Sequence, residues 1–148
     1  MKHWKIAISA IVFAVMPMMG FAADPNSDAP VLLQVDVPAT AASTQFNLAD
    51  LHAFPPISFE TETIWTEGVQ RFTGVSLLAM MRHLDIKDGT LELHAINDYV
   101  VEFGVSGAVD GGPIIAYERN GALMSRRDKG PLWIVFPYDS DPAYQTEE

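Results

Sequence analysis

The chain has 148 residues and contains no cysteine. That absence removes disulfides, a thiolate nucleophile and the soft sulfur ligand on which many transition-metal sites depend. Basic charge is also scarce: 9 Lys plus Arg face 19 Asp plus Glu, giving a net charge of −10 and a pI near 4.6. Such a chain repels phosphate and has no basic run to offset the repulsion, which excludes a nucleic-acid binder working by bulk charge. Long apolar runs are missing beyond the N-terminal segment. His52, His83 and His94 lack any H-x-x-x-H or H-E-x-x-H spacing, no serine sits in a G-x-S-x-G elbow, and Gly104, Gly107, Gly111 and Gly112 match no phosphate loop. A protein-only metal site and a hydrolase triad are therefore unsupported, and the histidines are expected to be structural.

What is present suits one soluble globular domain, since 49% of residues are apolar and 19% charged, a balance that also excludes a disordered chain. Lys2, His3 and Lys5, the apolar run Ile6 to Met19 and the small-x-small end Gly20-Phe21-Ala22 predict a secretory signal peptide over residues 1–22. The run is 14 residues long and broken by Pro17, short of the roughly 20 a spanning helix needs. Cleavage after Ala22 would leave 148 − 22 = 126 residues, and losing Lys2 and Lys5 leaves 7 basic against 19 acidic side chains, a net of −12. A chain of that size can bury a stable core without disulfides.

Residues 23–30 read as a flexible leader and 31–148 as a single domain. Val31 to Val37 alternates as a strand, Pro38 to Thr44 reads as a loop, and Asn47 to His52 as one helical turn before Pro55-Pro56. Ser58 to Trp65 alternates again, with Phe59, Thr61 and Thr63 on one face and Glu60, Glu62 and Ile64 on the other. Thr66-Glu67-Gly68 is a turn. Helical spacing of Leu77, Leu78, Met81 and Leu84 predicts a helix over Val75 to Leu84, started by Gly74. Thr90 to Ile96 and Tyr99 to Val105 are strands reversing at Asn97-Asp98. Pro113 to Glu118 is a buried strand, Arg119-Asn120-Gly121 a turn, Ser125 to Gly130 a charged loop and Leu132 to Phe136 an apolar strand, with a loose acidic tail from Tyr138. These patterns predict an α+β mixed-sheet domain with few helices and long loops, and leave strand order open.

Three groups of residues carry candidate chemistry. Thr61, Glu62, Thr63, Trp65 and Thr66 end a strand, where a large ring beside hydroxyls can cup a flat heteroaromatic ligand; the alternative is a plain strand with Trp65 in the core. Asn97, Asp98 and Tyr99 can place a carboxylate against the guanidine-like edge of a pterin or guanine ring, each charge-assisted bond contributing about 1.5–3 kcal/mol, or can be a turn and nothing more. Arg126, Arg127 and Lys129 put three of the basic charges within four positions, as an anion or polar-ligand seat or as a solvated loop, and Arg71 can join them or merely end a strand. Glu60 and Glu62 share a strand face without an opposing partner and read as solvated.

As an ordered set, Arg71-Phe72-Thr73-Gly74-Val75-Ser76-Leu77, Ala95-Ile96-Asn97-Asp98-Tyr99, Ile115 to Gly121 and Asp128-Lys129-Gly130-Pro131-Leu132-Trp133-Ile134-Val135 resemble the molybdopterin-binding domain of sulfite oxidase type enzymes over residues 58–138. Those enzymes hold molybdenum through a cysteine near the position of Thr61 to Trp65, where this chain has none, so the resemblance does not carry the activity over. It is closer to short periplasmic members with the Thr-x-Thr-x-Trp-Thr and Arg-Asp-Lys-Gly-Pro segments, which resemble regulators that bind a free pterin. Some of those work with an inner-membrane cyclic di-GMP enzyme or a sensor kinase.

The resemblance implies a periplasmic, non-catalytic protein binding a reduced monopterin rather than molybdopterin, without molybdenum, and docking on the periplasmic domain of an inner-membrane signalling protein. Thr63 and Trp65 would line the ring site, Asn97, Asp98 and Tyr99 its edge, and Arg71, Arg126, Arg127 and Lys129 its mouth. Stacking contributes about 1–3 kcal/mol, and with two hydrogen bonds less ordering costs, binding near −8 kcal/mol, about micromolar, is expected. Two alternatives stand beside it: a molybdenum oxidoreductase with Glu62 or Thr61 replacing the cysteine, and a partner-binding scaffold with a collapsed cleft.

Overall fold

A computed structural model describes residues 29–144. The expected signal peptide, and the leader apart from Ala29 and Pro30, lie outside the described residues. No helix among the described residues is long and apolar enough to cross a membrane.

The architecture is α+β and mostly sheet. A hairpin of β1 (Leu33–Val37) and β2 (Ala42–Phe46) comes first, with Leu33 opposite Phe46. The loop expected over Pro38 to Thr44 is thus a tight turn followed by β2; Ala41 takes a positive φ of 52° there. Helix α1 (Leu48–His52) follows, closed by a capping box in which the Asp50 amide donates to Asn47 Oδ1 at 3.0 Å and the Asn47 amide to Asp50 Oδ2 at 2.8 Å.

The main sheet is built from β3 (Pro56–Glu62), β4 (Val69–Ser76) and β7 (Ile114–Arg119), all antiparallel, with β8 (Ala122–Leu123) and β9 (Trp133–Val135) both pairing with β7. β4 replaces the start of the expected helix. Helix α2 spans Leu77–His83, because Val75 and Ser76 pair with Ile115 and Ile114, and Ser76 then caps the helix by accepting from the Ala79 amide at 3.3 Å. Gly74 sits at a register shift, where an added Cβ would lie 2.1 Å from the Ile115 carbonyl oxygen; it permits strand contact and does not start the helix.

Side chains of β7 feed two cores because successive residues face opposite sides of the sheet. Ile115 and Tyr117 pack with Val75, Leu51, Met80 and Met81 beneath the helices. Ile114 and Ala116 pack with Phe72, Val135, Met124 and Tyr138 on the other face. Of the three histidines among the described residues, all exposed, His52 meets the Tyr117 ring edge-on at 4.7 Å and His83 meets Phe54 at 5.1 Å, while His94 pairs with Glu92 at 3.2 Å. A separate hairpin, β5 (Thr90–His94) with β6 (Val100–Gly104), reverses at Asn97-Asp98 as its sequence predicts and turns Leu91 and Phe103 onto the first core.

Candidate functional site

Alternation along β3 buries Thr61 and, just beyond the strand, Thr63, while Glu60, Glu62 and Ile64 stay exposed. The chain then turns. The Trp65 amide donates to Thr63 Oγ1 at 3.2 Å and the hydroxyls of Thr63 and Thr66 lie 2.9 Å apart, so the Thr63 side chain fixes the bend that carries Trp65 out of the sheet. Trp65 is 38% exposed. It meets Trp133 and Tyr138 edge-on, each at 6.1 Å between centroids, and Trp133 in turn stands perpendicular to the buried Phe72 at 5.4 Å. Among the described residues, neither neighbour stacks parallel on the Trp65 ring.

The second face of this corner comes from the loop between β8 and β9. The Asp128 and Gly130 amides both donate to the Ser125 carbonyl, at 2.9 and 2.8 Å. Gly130 is required: a Cβ there would fall 2.2 Å from the Met124 carbonyl oxygen. The loop carries Lys129, in the left-handed region at φ 65°, to a position 5.7 Å from the Trp133 ring centroid, an exposed cation–π contact of about 0.5–1 kcal/mol. Asp128 turns back to pair with Arg119.

In the tail expected to be loose, Tyr138 and Tyr144 both pack on Phe136, while Asp139 to Ala143 between them are exposed. Tyr138 is 8% exposed, and burial pushes its phenol up to about 12 against the lowering effect of a Phe136 backbone hydrogen bond. The Asp139 amide donates to Thr61 Oγ1 at 3.3 Å, and its carboxylate accepts from the Glu62 amide at 3.0 Å. Tyr144 closes on Phe136 at 5.5 Å. Trp133, Tyr138 and Asp139 thus belong to the corner, although sequence reasoning did not select them. Their only advance signal was the aromatic richness of Trp133 to Tyr138.

Of the expected site, the contacts assemble Thr63, Trp65 and Lys129. Asn97, Asp98 and Tyr99 form the exposed tip of the β5–β6 hairpin, where the Ala95 amide donates to the Tyr99 carbonyl at 2.8 Å and Asp98 adopts φ 63°. No hydrogen bond, ion pair or ring contact among the described residues joins this tip to Trp65. Arg71 lies on β4 opposite Glu60, its amide accepted by Asn120 Oδ1 at 3.0 Å. Arg126 and Arg127 are exposed on the loop beside Lys129, and neither is in an ion pair among the described residues. No group of three or more His, Asp or Glu among the described residues is placed to hold a metal ion.

The chain matches no protein-family model and no curated protein.

Proposed function

We propose that this chain is a periplasmic, non-catalytic pterin-binding protein of the sulfite oxidase molybdopterin-binding type, acting as a ligand-responsive regulator of an inner-membrane signalling protein. The observation that supports it is the half-exposed Trp65, its ring framed edge-on by Trp133 and Tyr138 with Lys129 beside them, at the place where the resembling enzymes carry their thiolate. This residue set suits a planar heteroaromatic ring: an indole face to stack on, a threonine turn behind it and a cationic rim. In this reading Asp98, whose carboxylate has no hydrogen bond or ion pair among the described residues, is the acceptor for ring N–H groups, and Arg71, Arg126 and Arg127 form the outer rim.

The molybdenum reading gains nothing from Thr61, which is fully buried with its hydroxyl accepting from the Asp139 amide. For the bound pterin to signal, it must favour one docking-competent state or complete the docking surface itself. Titration of the purified protein with a reduced monopterin, read by tryptophan fluorescence, is expected to give a saturable change in the micromolar range. Flat traces to hundreds of micromolar overturn the reading, and stoichiometric molybdenum in protein from a cofactor-competent host replaces it with the oxidoreductase.

A further inference from the structure

Among the described residues the main sheet ends on β3, whose one strand partner is β4. Two contacts fix which of its backbone groups face outward. The Glu62 amide donates to Asp139, not to β4. Across the pair, the hydroxyls of Ser58 and Thr73 meet at 2.7 Å, which suits the closer, non-hydrogen-bonded type of antiparallel pair. Backbone direction repeats every second residue along a strand, so the N–H and C=O groups of Ser58 and Glu60 point the same way as the Glu62 amide, away from β4. Among the described residues, no backbone hydrogen bond from any other element reaches Ser58 or Glu60.

Exposed edges are ordinarily blunted by proline, by short length or by a covering segment. Here Pro56 blunts the first position and Asp139 caps the last, which leaves the middle of a seven-residue strand open. The side chains above that opening are Ser58, Glu60 and Glu62, all exposed. Neither glutamate is in an ion pair among the described residues, although Arg71 stands opposite Glu60 in the register. Side chains of directly paired strands sit roughly 5 Å apart, where opposite charges attract and like charges repel. A second copy of so acidic a chain brings its own glutamates to the edge, whereas a basic strand neutralises those already there.

We infer that β3 is a docking edge for an extended segment of another protein carrying Lys or Arg at alternate positions. The segment adds to the sheet as a further strand, using the Ser58 and Glu60 backbone groups for affinity and the Glu60 and Glu62 carboxylates for selectivity. This surface adjoins the aromatic corner through the Glu62–Asp139 contact but does not depend on a pterin.

The test uses a blocked synthetic heptapeptide alternating lysine with valine, titrated into the isotope-labelled protein and followed by amide chemical shifts. Shifts centred on the Ser58 and Glu60 amides are expected, at least fivefold weaker with glutamate in place of lysine and lost when alternate peptide amides are N-methylated. Ser58→Pro, which removes an outward N–H and no ladder bond, is expected to abolish binding; should that variant misfold, the two control peptides still decide. An absence of shifts at millimolar peptide, equal binding of the N-methylated peptide, or a sedimenting dimer that Ser58→Pro dissolves overturns the inference.

Discussion

The Asp139 carboxylate accepts the Glu62 amide at 3.0 Å, joining the end of β3 to a residue 77 positions further along the chain. The reciprocal bond, from the Asp139 amide to the buried Thr61 hydroxyl, makes the contact a two-point clasp that holds Tyr138 against Trp65. Asp139→Ala removes the carboxylate half and leaves the backbone half. A hydrogen bond to a charged group at an exposed site is worth about 1 kcal/mol net, so a modest fall in stability is expected in urea denaturation. The more telling effect is on the corner: Trp65 emission shifts to the red as Tyr138 loosens.

Gly74→Ala tests the close approach of β4 and β7. The new methyl carbon would sit 2.1 Å from the Ile115 carbonyl oxygen and 2.6 Å from the Ala116 Cα, backbone atoms that cannot rotate away. Ordinary overpacking costs about 1–3 kcal/mol, and a clash with backbone exceeds the relaxed cases. A loss of about 3 kcal/mol or more is expected, read as a reduced denaturation midpoint with little change in its steepness. A variant as stable as the parent would mean that the two strands are further apart than described.

Stability above neutral pH depends on Tyr138. Its phenol is raised from the ordinary value of 10.0 to about 12 in the folded chain, chiefly because burial disfavours the phenolate. A raised folded value means that the neutral form contributes stability fully present below pH 10 and lost as pH climbs from about 10 through about 12. Tyr117 is raised by burial in the same direction and adds to the effect. Tyr138→Phe is expected to flatten the decline by about 1 kcal/mol, checked by denaturant midpoints at pH 8 and at pH 11.

Local signals made much of this fold legible. Asn47 and Asp50 announce α1, Asn97-Asp98 the β5–β6 reversal and Asn120-Gly121 the β7–β8 turn, each through chemistry confined to a few neighbouring residues. β4 was not legible because Val69 to Ser76 lacks alternation: it is enclosed by β3 and β7, and Gly74 imitates a helix boundary while serving strand contact. For the candidate site, Thr63 and Trp65 stood out by composition. Their meeting with Trp133, Tyr138 and Asp139 depends on long-range strand pairing, which no window of sequence carries.

Asp98 separates a ligand-reading hairpin tip from a simple turn, provided the substitution spares the backbone. At φ 63° an alanine is strained, whereas asparagine tolerates the left-handed region nearly as well as aspartate. Asp98→Asn should therefore leave the denaturation midpoint unchanged while removing the negative charge. If the carboxylate accepts two N–H groups of a pterin, losing the charge weakens bonds worth about 1.5–3 kcal/mol each, and the Kd for a reduced monopterin rises at least tenfold. Trp65→Ala raises it by a similar factor through lost stacking of about 1–3 kcal/mol. A tenfold loss for Trp65→Ala with an unchanged Kd for Asp98→Asn would keep the aromatic corner as the ligand site and free the hairpin tip from it, in line with the absence of a hydrogen bond, ion pair or ring contact between the two among the described residues.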